Sequence, residues 1–150
     1  MYKTYEDSKT KLNLINRIHS YIHGGRGILT LEAPSGNSHS YAFYRPLNSS
    51  SFPDDIVFVY AAHDNSKLFY IGMIERDQFR LTAHSRFLED TDIVKGAKYI
   101  VRMSHDQNLC NKTPMKLYHE GMCARCGRKL ETDKSKELGF GPKCIKKIIY

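Results

Sequence analysis

The residues best able to do chemistry in this chain are four cysteines, all in its last third: Cys110, Cys123, Cys126 and Cys144. Cys123-Ala124-Arg125-Cys126-Gly127 has the form of a zinc knuckle. Two residues between the thiolates let a tight turn aim both sulfurs at one ion, and the following glycine lets backbone N–H groups approach them. Gly139-Phe140-Gly141-Pro142-Lys143-Cys144 reads as a second turn delivering a third thiolate. One tetrahedral position then remains. His119, four residues before Cys123, is the expected fourth ligand, and Cys110 is the alternative, which would give an all-cysteine site. The expected cofactor is one structural Zn²⁺. Three thiolates and the ion sum to −1, and a closed shell leaves no place for a catalytic water. A module of about 33 residues, 118–150, has too little core of its own, so metal binding should supply much of its folding energy.

Other constellations are weaker. His19 and His23 stand four apart on an expected helix, which is metal-ligand spacing, but no third ligand is evident nearby. They are expected to be structural or exposed. His63-Asp64 and the His84, Glu89 pair could form an acid–base couple, yet nothing in the sequence brings them together. Ser35-Gly36-Asn37 and Gly24-Gly25-Arg26-Gly27 lack the lysine and hydroxyl ending of a phosphate loop. No nucleophile elbow, kinase set or paired-carboxylate motif appears, so the expected function is non-enzymatic.

Charge points the same way. The 150 residues carry 23 Lys/Arg against 16 Asp/Glu, a net +7. Residues 1–104 supply +2 of this and residues 105–150 supply +5. A basic tail around a metal knuckle suits a polyanion, nucleic acid first. Arg125, Arg128, Lys129, Lys143, Lys146 and Lys147 are the expected phosphate contacts. There are ten tyrosines and no tryptophan. Tyr41 and Phe43 alternate along one strand, and Phe69 and Tyr70 lie on another. Core packing is the first expectation for them, and base stacking the second.

The elements that must position these residues change period along the chain. Leu12, Ile15, Ile18 and Ile22 predict an amphipathic helix over 7–23, capped by Asp7 or Ser8 and ended by Gly24-Gly25. From 27 to 83 the period is two. Strands are expected at 27–33, 40–45, 55–61, 68–75 and 78–82, with Arg76-Asp77 as a hairpin tip. Five strands on short connections imply a mostly antiparallel sheet. Helical spacing returns over 91–103, weakened by Gly96. Ile145, Ile148 and Ile149 suggest a short helix starting near Cys144. The expected fold is α+β: a domain over 1–104, a linker over 105–117 and a zinc module over 118–150. There is no apolar run long enough for a membrane span and no apolar leader, so the expected location is the cytoplasm, with no membrane partner.

The run His119-Glu120-Gly121, then Cys123-x-x-Cys126-Gly127-Arg128-x-Leu130, Ser135, and Gly139-x-Gly141-Pro142-x-Cys144 resembles a zinc-ribbon-like module of uncharacterised bacteriophage and prophage proteins. The likeness extends loosely upstream, through His63-Asp64-Asn65, Phe69-Tyr70-Ile71-Gly72, Phe79-Arg80-Leu81-Thr82 and Ser85. Glu131 stands where threonine is usual and Asp133 where proline is common. The resemblance implies a phage source, a bacterial host cytoplasm and a metal site, with no established activity. Two function classes lead, ahead of a nuclease or other hydrolase, which would need a metal with an open position that the sequence does not show. One is a nucleic-acid-associated zinc protein, binding DNA or RNA. The other is an inhibitor of a host bacterial protein, with zinc only as a staple.

Overall fold

The computed structural model describes residues 10–46, 55–63 and 67–147, the His63 side chain excepted. The architecture is α+β. Among the described residues the strands are β1 (Thr10–Lys11), β2 (Arg26–Glu32), β3 (Ser38–Tyr44), β4 (Val57–His63), β5 (Lys67–Glu75), β6 (Gln78–Arg80) and β7 (Lys116–His119). The helices are α1 (Ile15–Ile22), α2 (Asp92–Met103), α3 (Gln107–Lys112) and α4 (Asp133–Leu138). All seven strands form one sheet in the order β1-β7-β2-β3-β4-β5-β6, and every pairing is antiparallel.

The period-two reading of 27–82 holds because each strand has one face to bury. Leu29 and Leu31 of β2, Tyr41 and Phe43 of β3, and Val57, Val59 and Ala61 of β4 all point to one side. There they meet Ile18, Tyr21 and Ile22 of α1 and Val94, Ala97, Ile100 and Val101 of α2 in a single core. Tyr41 and Phe43 are therefore core residues, as first expected. The other side carries Tyr44, Phe58, Tyr60 and Tyr70. It is half-buried to exposed, with Tyr44 at 45%.

The N-terminal helix is shorter than its apolar spacing suggests. Among its described residues only Ile15–Ile22 is helical, while Thr10–Lys11 is extended and pairs with Tyr118 and His119 of β7. Leu12 is still buried, and its N–H donates to the Leu117 carbonyl at 2.7 Å. A strand partner more than 100 residues away thus captures a segment that local periodicity reads as helix. The expected caps Asp7 and Ser8 lie outside the described residues. The helix starts at Leu14 with no side-chain cap of its own, and the Gln107 side chain accepts from the Ile15 N–H at 3.1 Å.

The stretch 105–117, read as a linker, is structured. Asp106 caps α3 by accepting from the Leu109 N–H at 3.0 Å. Strand β7 then inserts between β1 and β2, so the C-terminal module begins inside the main sheet. A four-residue strand is too short to declare itself by alternation; pairing on both sides defines it.

Gly96 is explained by packing. The Tyr41 hydroxyl occupies the space a Cβ would need and donates to the Ile93 carbonyl at 2.7 Å. Helix propensity alone favours Gly96→Ala by about 1 kcal/mol. The expected result is the reverse: a loss of about 1–3 kcal/mol from overpacking, read as a lower urea midpoint at unchanged slope.

Candidate metal centre

The candidate metal centre is built from two turns that meet. After β7, residues 121–130 fold back as a hairpin. The Leu130 N–H donates to the Gly121 carbonyl at 2.7 Å and the Cys123 N–H to the Arg128 carbonyl at 2.8 Å. Met122 lies opposite Lys129. The tip closes through the Gly127 N–H donating to the Cys123 carbonyl at 2.9 Å, with Gly127 at φ +79°. That left-handed conformation is why glycine follows the second thiol.

The second turn is set by α4. The Thr132 hydroxyl caps it by accepting from the Ser135 N–H at 3.1 Å. Asp133 is its first residue, a position that suits either proline or an acid at the positive helix end. Gly139 ends the helix at φ +80°, and its carbonyl accepts from the Ala124 N–H at 2.9 Å, which ties the two turns together. The chain then runs to Cys144 and a short 3₁₀ turn, Ile145–Lys147. Ile148 and Ile149 lie outside the described residues.

The outcome is that the Sγ atoms of Cys123, Cys126 and Cys144 lie within 4.8 Å of one another and could hold a metal ion. Cys123 is buried, and the other two are half-buried. Backbone N–H groups of Arg125 and Gly141 donate to the Cys123 sulfur at 3.4 and 3.5 Å. Burial pushes the Cys123 thiol up, but these N–H groups and that of Cys126 outweigh it and bring the pKa below the ordinary range. Cys144 is pushed up to about 11, first by burial and then by its two thiol neighbours. Three thiols so placed cannot all ionise without a cation between them. The donor set fits a soft or borderline divalent ion.

Neither expected fourth ligand joins this group. Cys110 is buried on α3, and its thiol donates to the Met103 carbonyl at 3.1 Å. His119 is fully buried at the end of β7. Its Nδ1 accepts from the Gly121 N–H at 3.0 Å, so Nε2 carries the proton and donates to the Lys136 carbonyl. The ring stacks on Tyr21, 5.2 Å between centroids, and the Tyr21 hydroxyl donates to the Met122 carbonyl at 2.8 Å. Burial lowers the His119 pKa, so the ring is neutral. In this arrangement His119 braces β7, the hairpin and α4 against one another, with both ring nitrogens engaged.

The module is joined to the main core. Cys123, Ala124, Leu130 and Phe140 belong to the same buried cluster as the sheet and α1. The Arg26 N–H, at the start of β2, donates to the Ala124 carbonyl at 2.5 Å.

Of the expected phosphate contacts, Arg128, Lys129, Lys143, Lys146 and Lys147 are exposed and Arg125 is half-buried. None of the six is ion-paired with a described carboxylate. A cavity of about 390 Å³ opens beside Cys126, lined by Gly25, Arg26, Tyr44, Arg45 and Arg125. A second, of about 510 Å³, runs from Arg26 and Gly127 over Ile28 and Ala42 to Tyr60 and Leu68. No local pattern signals that Arg26, Arg45, Tyr44 and Tyr60 meet the module. The only available hint was the lone Arg26 beside Gly24-Gly25.

Among the described residues no helix is long and apolar enough to cross a membrane. No curated protein and no solved structure matches the chain. Residues 117–149, the span from β7 through both cysteine turns, match a family of unknown function, DUF6011.

Proposed function

We propose that this protein binds single-stranded nucleic acid, with one structural Zn²⁺ on Cys123, Cys126 and Cys144 holding the cationic end of the surface in place. The observation that carries this reading is a continuity. The sheet face bearing Tyr44 and Tyr60 runs into the cavity beside Cys126, where Arg26, Arg45 and Arg125 gather. Tyr60 and Tyr70 pack edge to face at 5.6 Å, which presents ring surface on a rigid strand pair. Aromatic rings on a sheet stack bases without regard to sequence, and flanking guanidinium groups follow the phosphates. Zinc held by three thiolates carries no net positive charge, so its contribution is to position Arg125, Arg128 and Lys129. The phage source and the host bacterial cytoplasm rest on the sequence resemblance.

Fluorescently labelled single- and double-stranded DNA and RNA would be titrated across a salt series. Single strands should bind with log K falling by about 3 or more per decade of salt, since each neutralised phosphate contributes about 0.7. Tyr60→Ala should weaken binding about 5- to 100-fold at unchanged slope, and Arg125→Glu should reduce the slope by about 1. Absence of binding to every ligand at low salt would sink this reading. A saturable, salt-insensitive complex with a host protein would then favour the inhibitor class.

A further inference from the structure

The sequence offers no third ligand for the His19, His23 pair, but the fold supplies one. His19 lies in the last turn of α1 and His23 is its C-terminal cap. Both face the tip of the β5–β6 hairpin, where Asp77 stands 58 residues from His19 along the chain. His19 Nε2 is 3.0 Å and His23 Nε2 is 3.6 Å from the same carboxylate oxygen of Asp77. The ligand atoms of all three lie within 4.8 Å of one another. We propose that His19, His23 and Asp77 form a second, independent metal site that takes a borderline divalent ion of the Zn²⁺ class, with solvent completing its coordination.

Three features support this. First, His23 Nδ1 lies 2.9 Å from the His19 carbonyl, which can only accept. Nδ1 therefore carries a proton, and in the neutral ring Nε2 is a bare lone pair aimed at a carboxylate oxygen. Such a contact is favourable only with a proton or a metal ion between the two acceptors, and a metal ion serves both histidines at once. A histidine whose second nitrogen donates to a backbone carbonyl is also the usual arrangement of a metal ligand. Second, N and O ligands about 2.0–2.1 Å from a tetrahedral ion sit roughly 3.3–3.4 Å apart. The two observed separations, 3.0 and 3.6 Å, straddle that value. Third, the hairpin tip that delivers Asp77 is strained. Arg76 at φ 54° and Asp77 at φ 62° are the only left-handed non-glycine residues among those described. A turn of this kind ordinarily carries Asn-Gly. Strain is kept where a side chain has work that glycine cannot do.

The site is open. The side chains of His19 and Asp77 are 41% and 53% exposed, so water or a small ligand reaches the ion. Two neutral imidazoles and one carboxylate leave a +1 centre, unlike the thiolate site. The two sites therefore differ in charge, softness and access.

The test uses the full chain and Zn²⁺, followed by native mass spectrometry for stoichiometry and by long-range ¹H–¹⁵N spectra of the histidine rings. The first equivalent should fill the thiolate cluster. The second should shift the Nε2 resonances of His19 and His23 and leave those of His119 in place. His19→Ala/His23→Ala should weaken the second equivalent at least 100-fold. Asp77→Gly should weaken it about tenfold or more while relaxing the hairpin, so lost binding there cannot be blamed on misfolding. Wild-type protein taking up one equivalent only, or a second equivalent that binds equally well to Asp77→Gly, would overturn the proposal.

Discussion

Stripping metal from the three-thiol cluster is expected to lower the midpoint of thermal unfolding by about 6–20 °C, with the C-terminal third losing hydrogen-exchange protection first. The reason lies in what the cluster joins. The hairpin 121–130 and the Gly139–Cys144 turn are linked by the Ala124–Gly139 hydrogen bond and by whatever the sulfurs share. Structural zinc in isolated finger peptides contributes about 10–16 kcal/mol to folding. Here the module also draws on the main core through Cys123, Ala124, Leu130 and Phe140, so part of its structure survives without the ion. A loss of about 3–5 kcal/mol is the expected remainder, and for a chain of this size each kcal/mol moves the midpoint by roughly 2–4 °C. Cys126→Ser should reproduce the effect and abolish metal uptake at this site. Cys110→Ser should leave uptake unchanged, because that thiol is turned toward the Met103 carbonyl.

Acidification should act in the same direction. Each proton displaced on binding makes the affinity tenfold weaker per pH unit. The Cys123 pKa is lowered by the backbone N–H groups on its sulfur, whereas Cys144 at about 11 must give up a full proton. Affinity at the cluster should therefore fall by roughly 100- to 1,000-fold per unit as pH drops below 7. Equilibrium competition against a chromophoric chelator reads this directly. An affinity that does not change between pH 6 and 8 would contradict thiolate ligation.

His119→Ala should be the most damaging single substitution outside the cysteines, at about 3–5 kcal/mol, without changing the metal count of the thiol cluster. Removing the ring leaves the Gly121 N–H and the Lys136 carbonyl buried without partners, at about 1–3 kcal/mol each, and opens a cavity against Tyr21. His119→Gln keeps a donor for Lys136 and should cost about half as much. Were His119 a ligand, both variants would lose metal in proportion to their damage. Urea denaturation with metal analysis of the same samples separates the two roles.

The same ring makes a pH signature. Burial holds its folded pKa below the ordinary value near 6.5, against smaller opposing effects of the Lys136 carbonyl and the Glu120 charge. Above pH 6.5 the ring is neutral in both states and contributes no pH dependence. Below it the unfolded chain takes up a proton that the folded chain refuses. Stability should fall by up to about 1.4 kcal/mol per unit until the folded pKa is reached. His119→Gln should remove that slope. A slope that persists unchanged in the variant would assign it elsewhere.

What could be read from the sequence was whatever is local. Strands β2 to β6 and helix α2 follow from alternation or 3.6-residue spacing within single segments, and all six lie where the pattern puts them to within a few residues. The three cysteines of the cluster were legible for the same reason. Knuckle spacing and glycine turns are local chemistry, and Gly127 and Gly139 adopt the left-handed conformations those turns need.

Tertiary structure decided everything that depends on partners far apart in the chain. Strands β1 and β7 exist because each pairs with the other, and β7 with β2. That pairing took 10–11 out of the expected helix and drew the start of the expected separate module into the sheet. His119 was placed beside the cysteines by sequence distance. Its position on β7 instead buries it against Tyr21 and engages both its nitrogens. The meeting of Asp77 with His19 and His23, and of Arg26 and Tyr44 with the knuckle, depends on how hairpins and helices pack. Spacing along a chain fixes which side chains can share a turn; only packing fixes which ones, tens of residues apart, can share an ion.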